Sequence, residues 1–172
     1  LVPLLVGIFY LPQSWMSLYA QSLTAGIIFI VAAITDWIDG YLARKWNQTS
    51  AFGAFLDPVA DKLIVAGSLI VLVQLGRVSA ILAFIIIGRE IAISALREWM
   101  AKIGASNSVA VNSLGKVKTI AQMIAIPMLL YYDNLFYVID TRFIGTYLLI
   151  IAAFLTVVSM LYYLRKALPL IK

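Results

Sequence analysis

Asp36 and Asp39 stand three residues apart and Asp57 and Asp61 four apart, so on helices each pair shares one face. Burying an unpaired carboxylate is costly, and four converging ones repel one another. Arg44, Lys45 and Lys62 are the bases close by in sequence, and the chain has no histidine and no cysteine. A hard divalent cation is therefore the natural partner. Mg²⁺ or Mn²⁺ takes carboxylate oxygens and keeps open positions for substrate phosphates. Two such ions can be held by four carboxylates on two antiparallel helices, an arrangement suited to in-line phosphoryl displacement. The same absences exclude haem held by histidine, zinc held by histidine or cysteine, and a Ser-His-Asp triad. Either acidic pair alone reads equally well as a solvated helix end. Both pairs bracketing one turn favour the metal site.

Small residues keep the acidic faces open. Gly40 follows Asp36 by four and Ala43 follows Asp39 by four, so a ligand or a facing helix can approach. Gly53 gives backbone access or opens the next helix. Pro58 directly after Asp57 allows two readings, with Asp57 as a helix N-cap or with a helix that starts nearer Gly53. A phosphate-binding glycine loop does not fit, because Val117 follows Gly115-Lys116 and Ala110 holds the upstream glycine position.

The elements that carry these residues are apolar. Of 172 residues, 63% are hydrophobic and 12% charged, with a mean hydropathy of +1.00. A soluble core of this size cannot absorb that much apolar surface, so residues 1–172 read as a single all-α integral membrane domain. Apolar runs are expected at Val2 to Leu11, Ser22 through Ile34 towards Gly40, Val59 to Leu75, Val78 to Leu96, Ser113 to Tyr132 and Phe143 to Leu164. The first is too short to cross a bilayer and reads as the truncated remainder of a longer helix, giving six transmembrane helices in all.

Basic residues orient the spans. One side receives Arg44, Lys45, Lys62, Arg89, Arg97, Lys102, Lys116, Lys118, Arg165, Lys166 and Lys172, and the other only Arg77 and Arg142. The basic side is expected in the cytoplasm. This bias accounts for the net charge of +5 without a nucleic-acid partner. Tyr10, Trp15, Tyr131, Tyr132, Tyr162 and Tyr163 fall near span ends, where amphipathic rings fit the headgroup layer.

Asp36-x₂-Asp39-Gly40-x₂-Ala43-Arg44-x₈-Gly53-x₃-Asp57-x₃-Asp61 resembles, position for position, the signature of the CDP-alcohol phosphotransferase family. The similarity extends over Phe52 to Lys62, Gly88 to Ile91, Leu96 to Met100 and Gly115 to Thr119, and is greatest to bacterial members whose acceptor is sn-glycerol 3-phosphate. The resemblance implies a six-helix homodimer in the bacterial inner membrane, with its active site open to the cytoplasm. It implies transfer of a phosphatidyl group from CDP-diacylglycerol to an alcohol, with release of CMP.

By matching positions, Asp36, Asp39 and Asp57 would bind metal, and Asp61 would both bind metal and serve as the base. Asp39, Gly40, Ala43, Arg44 and Gly53 would line the CDP cleft, with Arg44 on phosphate. Arg89, Arg97, Lys116 and Lys118 are the candidates for the acceptor phosphate; positive-inside bias is the bland explanation for each. Arg89 lies within a span, which favours it. Lys116 and Lys118 cannot share a helix face, and Lys116 is preferred. Family members usually begin with an amphipathic, polar segment that this sequence does not show. Sister enzymes using inositol phosphate, serine or phosphatidylglycerol share the signature. A cation or proton transporter would instead place acids at mid-span depth in both halves.

Overall fold

A chain in an apolar surround must satisfy its own N–H and C=O groups, and unbroken runs of Leu, Ile, Val, Ala and Phe do so as helices. The computed structural model describes residues 1–46, 51–103, 113–135 and 138–167, with side chains for all of these except 43, 44, 51–58, 113–116 and 166. The helices are α1 (Val2–Gly7, continued by a 3-10 turn Ile8–Tyr10), α2 (Leu18–Lys45), α3 (Ala51–Gln74), α4 (Ala80–Lys102), α5 (Ser113–Tyr131) and α6 (Thr141–Ala167). Two short antiparallel strands, β1 (Asn134–Leu135) and β2 (Ile139–Asp140), link α5 to α6 and pair Asn134 with Asp140. Among the described residues the fold is all-α apart from this hairpin.

Two boundaries differ from expectation in a way that matters for the site. Helix α2 begins at Leu18 and runs unbroken through Asp36 and Asp39 to Lys45. Helix α3 begins at Ala51, well ahead of Val59, so Asp57 is an interior helical residue and not an N-cap. The apolar run alone set the expected start, whereas the helix extends across the less hydrophobic Ala51 to Pro58.

Among the described residues, Leu18–Leu42 and Thr141–Arg165 are long and apolar enough to cross a membrane. Val117–Tyr131 is a shorter apolar helix. Helix α4 has the length but carries Arg89, Glu90 and Arg97.

Helix α5 packs most extensively on α6 and next on α2, while α4 lies against α6 and α3. The α5–α6 approach needs a glycine: a Cβ on Gly145 would come within 2.9 Å of Leu129 Cγ. Phe29, Leu69, Leu72, Ile86, Ile126, Leu129 and Leu149 form the main core. A second cluster, Ile93, Met100, Tyr163 and Ala167, joins α4 to α6. Tyr163 is therefore a core residue and not a headgroup anchor, unlike Tyr10 and Trp15, which are exposed. Successive helical residues point about 100° apart, so Tyr162 and Tyr163 cannot share one environment.

The end of α3 shows how local sequence builds a tertiary contact. Gly76 takes a φ of +68°, its N–H donates to the Val73 carbonyl, and the Arg77 N–H donates to the Leu72 carbonyl at 2.9 Å. These are the two bonds of a Schellman cap. The cap turns Arg77 towards α5, where its guanidinium donates to the carbonyls of Leu129 (3.2 Å) and Leu130 (2.5 Å) and to Ser22 Oγ (2.8 Å). Arg77 thus occupies carbonyls at the C-terminus of α5, where a cation also opposes the helix dipole. Tyr132 follows in the left-handed region at φ 56°, its ring between Arg77 and Arg142. Burial lowers the Arg77 pKa, with Tyr132 acting in the opposite sense, yet a guanidinium keeps its charge.

Candidate active site

Helices α2 and α3 bring their carboxylates to a common space. Asp36, Asp39 and Asp61 line one cavity of about 210 Å³, with Thr35, Ala60 and Met123 among its other walls. Asp36 is partly buried, and Asp39 and Asp61 are exposed. These three fall together because the unbroken helix α2 carries Asp36 and Asp39 on one face and α3 presents Asp61 towards it. Among the described residues, no three carboxylates draw close enough to form a metal-ligating cluster by themselves. The side chain of Asp57, the fourth carboxylate of the signature, lies outside the described residues, as do those of Ala43, Arg44, Gly53 and Lys116. All five belong by backbone to α2, α3 or α5. The donor chemistry suits a hard cation: oxygen ligands only, on the wall of a cavity that also admits a ligand.

A second cavity of about 320 Å³ adjoins the first, and Asp61 and Met123 line both. Its polar walls come from three helices: Asp61 and Lys62 on α3, Arg89, Glu90 and Arg97 on α4, and Thr119 and Gln122 on α5. Arg89 and Lys118 are the buried charged residues among those described. The Lys118 ammonium donates to Glu90 Oε1, and Arg89 Nη1 lies 3.4 Å from the same oxygen. Arg89 Nη2 donates to Ser159 Oγ at 2.9 Å, and the Ser159 hydroxyl donates in turn to the Thr156 carbonyl. Arg97 is exposed, with its guanidinium 5.4 Å from the Tyr163 ring and Nη2 3.5 Å from the Tyr163 hydroxyl.

Lys62, Arg89 and Arg97 face a space shared with Asp61, and Glu90 pairs with both Lys118 and Arg89. Such a wall favours an anion that reaches the carboxylate end through Asp61.

Of the sequence candidates, Asp36, Asp39, Asp61, Arg89 and Arg97 line these adjoining cavities, and Lys118 stands behind Glu90. Glu90, Gln122, Ser159 and Tyr163 belong to the site as well, and their spacing gave no sign of it. A polar side chain within an apolar helix is the signal that marks Glu90, Gln122 and Ser159. Tyr163 has no such mark. An apolar groove of about 420 Å³ between α2 and α5, lined by Ile27, Ile30, Pro127 and Met128, also reaches Met123.

The family model described as CDP-alcohol phosphatidyltransferase matches residues 2–158. The CDP-diacylglycerol–glycerol-3-phosphate 3-phosphatidyltransferases of Shigella flexneri serotype 5b (strain 8401), Salmonella choleraesuis (strain SC-B67) and Escherichia coli (strain K12) are each 48% identical over 169 residues. Each alignment covers 97% of this chain and 88% of the relative. With three of the four signature carboxylates at one cavity and likeness over nearly the whole length, the chain belongs to the CDP-alcohol phosphatidyltransferase family.

Proposed function

We propose that this chain transfers the phosphatidyl group of CDP-diacylglycerol to sn-glycerol 3-phosphate, giving phosphatidylglycerol phosphate and CMP. The observation that carries the reading is a junction: Asp61 lines both the carboxylate cavity and the basic cavity. That is where a base must stand to take a proton from an acceptor held by its phosphate. The 48% identity to transferases of this acceptor supports glycerol 3-phosphate over serine or inositol phosphate.

In this reading Asp36, Asp39, Asp57 and Asp61 would hold two Mg²⁺ or Mn²⁺ ions. Bound ions supply neutralisation of the pyrophosphate and of the departing CMP. Asp39, Gly40, Ala43, Arg44 and Gly53 receive the CDP moiety, with Arg44 on its phosphates. Arg89 and Arg97 take the acceptor phosphate, supported by Lys116 and Lys118. Asp61 accepts the proton of the C1 hydroxyl as its oxygen bonds to the phosphatidyl phosphorus, and the bond from that phosphorus to the CMP oxygen breaks. The displacement is direct, because no Ser, Cys or His in the signature offers a nucleophile.

The chain is one membrane domain of six helices in the bacterial inner membrane, with the site on the cytoplasmic side and a second copy completing a homodimer. The bias of basic residues supports that orientation. A single assay tests the function. Purified protein with CDP-diacylglycerol is expected to release CMP with glycerol 3-phosphate, not with serine or inositol phosphate. Release should stop on chelation and return with Mg²⁺ or Mn²⁺. Release with another acceptor alone reassigns the substrate, and release that survives chelation removes the metal.

A further inference from the structure

Among the described residues, three buried side-chain atoms lack a hydrogen-bond partner: Arg89 Nε, Gln122 Oε1 and Thr156 Oγ1. Buried polar groups are nearly always paired, so each one asks for a reason. Arg89 and Gln122 both line the basic cavity beside Asp61. Two of the three orphaned atoms thus belong to residues that line the cavity where a ligand is expected, and Arg89 is already assigned to the acceptor phosphate. Gln122 lines the same cavity without a role in the transfer itself. Its side chain is only 3% exposed and sits one helical turn after Lys118 on α5, within an otherwise apolar stretch. A polar side chain held at that depth has to serve a partner.

We propose that the Gln122 carboxamide binds the secondary hydroxyl of the acceptor and so sets its specificity. This inference rests on the glycerol 3-phosphate reading. The phosphate is held by Arg89 and Arg97, and the reacting C1 hydroxyl faces Asp61. The C2 hydroxyl is the remaining polar group of the acceptor, and Gln122 is a remaining polar wall of the cavity. A hydroxyl both donates and accepts, so it satisfies a carboxamide presented by either end. A site built to bind a hydroxyl discriminates strongly against an analogue lacking it, because its own polar group is then left unpaired.

Propane-1,3-diol monophosphate isolates this contact, since it keeps the phosphate and the terminal hydroxyl and lacks only the secondary one. Steady-state CMP release would be measured with both acceptors for the wild type, Gln122→Leu and Gln122→Met. The wild type is expected to prefer glycerol 3-phosphate by at least about tenfold in kcat/KM. Both variants should bring that ratio close to one by losing activity on glycerol 3-phosphate, with KM for CDP-diacylglycerol unchanged. The Met variant, unbranched and of similar length, carries the test if Gln122→Leu does not fold. An undiminished preference in either folded variant, an equal loss on both acceptors, or a wild type without preference overturns the proposal while leaving the transferase intact. A wild type that releases no CMP with glycerol 3-phosphate instead removes the transferase reading and this inference together.

Discussion

Arginines at opposite ends of the helix bundle meet different fates. Arg77 spends its donors on the Leu129 and Leu130 carbonyls and on Ser22, and stacks on Tyr132. Arg142 next to it donates to the Tyr132 carbonyl at 3.0 Å. At the other end Arg89 gives Nη1 to Glu90 and Nη2 to Ser159 but keeps an unpartnered Nε, and Arg97 rests against Tyr163 with its guanidinium beside an open cavity. The residue type is the same, yet one end is a clamp and the other, in the proposed function, a receptor. What separates them is whether protein carbonyls use up the guanidinium. A cation saturated by backbone oxygens stabilises a helix end; one left with free donors beside a cavity is available to an anion.

The contrast can be broken by substitution. The largest effect is expected at the receptor end, where Asp61→Asn should lower turnover about 10³-fold while CDP-diacylglycerol binding and the thermal midpoint are largely kept. CMP release together with lipid-nucleotide binding decides this, and full activity in the purified variant would sink the role of Asp61 as base. Next comes Arg77→Ala, which leaves two α5 carbonyls without their donor. It should cost about 2–3 kcal/mol of stability, read from denaturation in detergent, with unchanged turnover per folded molecule. A selective rise in a substrate KM would show that the clamp end also binds ligand. Smallest is Arg97→Ala, expected to raise KM for glycerol 3-phosphate about tenfold, or about 1.4 kcal/mol, without moving KM for CDP-diacylglycerol or the melting temperature. A stability loss with no KM effect would make Arg97 a second clamp.

Much of the architecture was legible in the chain. The apolar runs predict the order of the helices, and Gly76-Arg77 marks the stop of α3 that the Schellman cap provides. The start of α3 was left open between an N-cap at Asp57 and a position nearer Gly53, because hydropathy fades over Ala51 to Pro58, and the helix takes the earlier start. Tyr163 was misread as a headgroup anchor, since nearness to a span end says nothing about which face a residue occupies. Positive-inside bias explains why Arg89 and Arg97 lie on one side, but not that they share a cavity.

By itself, the sequence determined the chemical kind of the site. With neither histidine nor cysteine present, paired aspartates at helical spacing leave hard-cation and phosphate chemistry as the natural reading, and composition places it among apolar helices. Only the tertiary structure decided which charges stand together. Asp61 joins two cavities, Glu90 engages Lys118, and Gln122 is left facing the space between helices. Such juxtapositions depend on how α3, α4, α5 and α6 rotate about their own axes when they pack. Contacts between residues dozens of positions apart fix that rotation, and no local spacing encodes it.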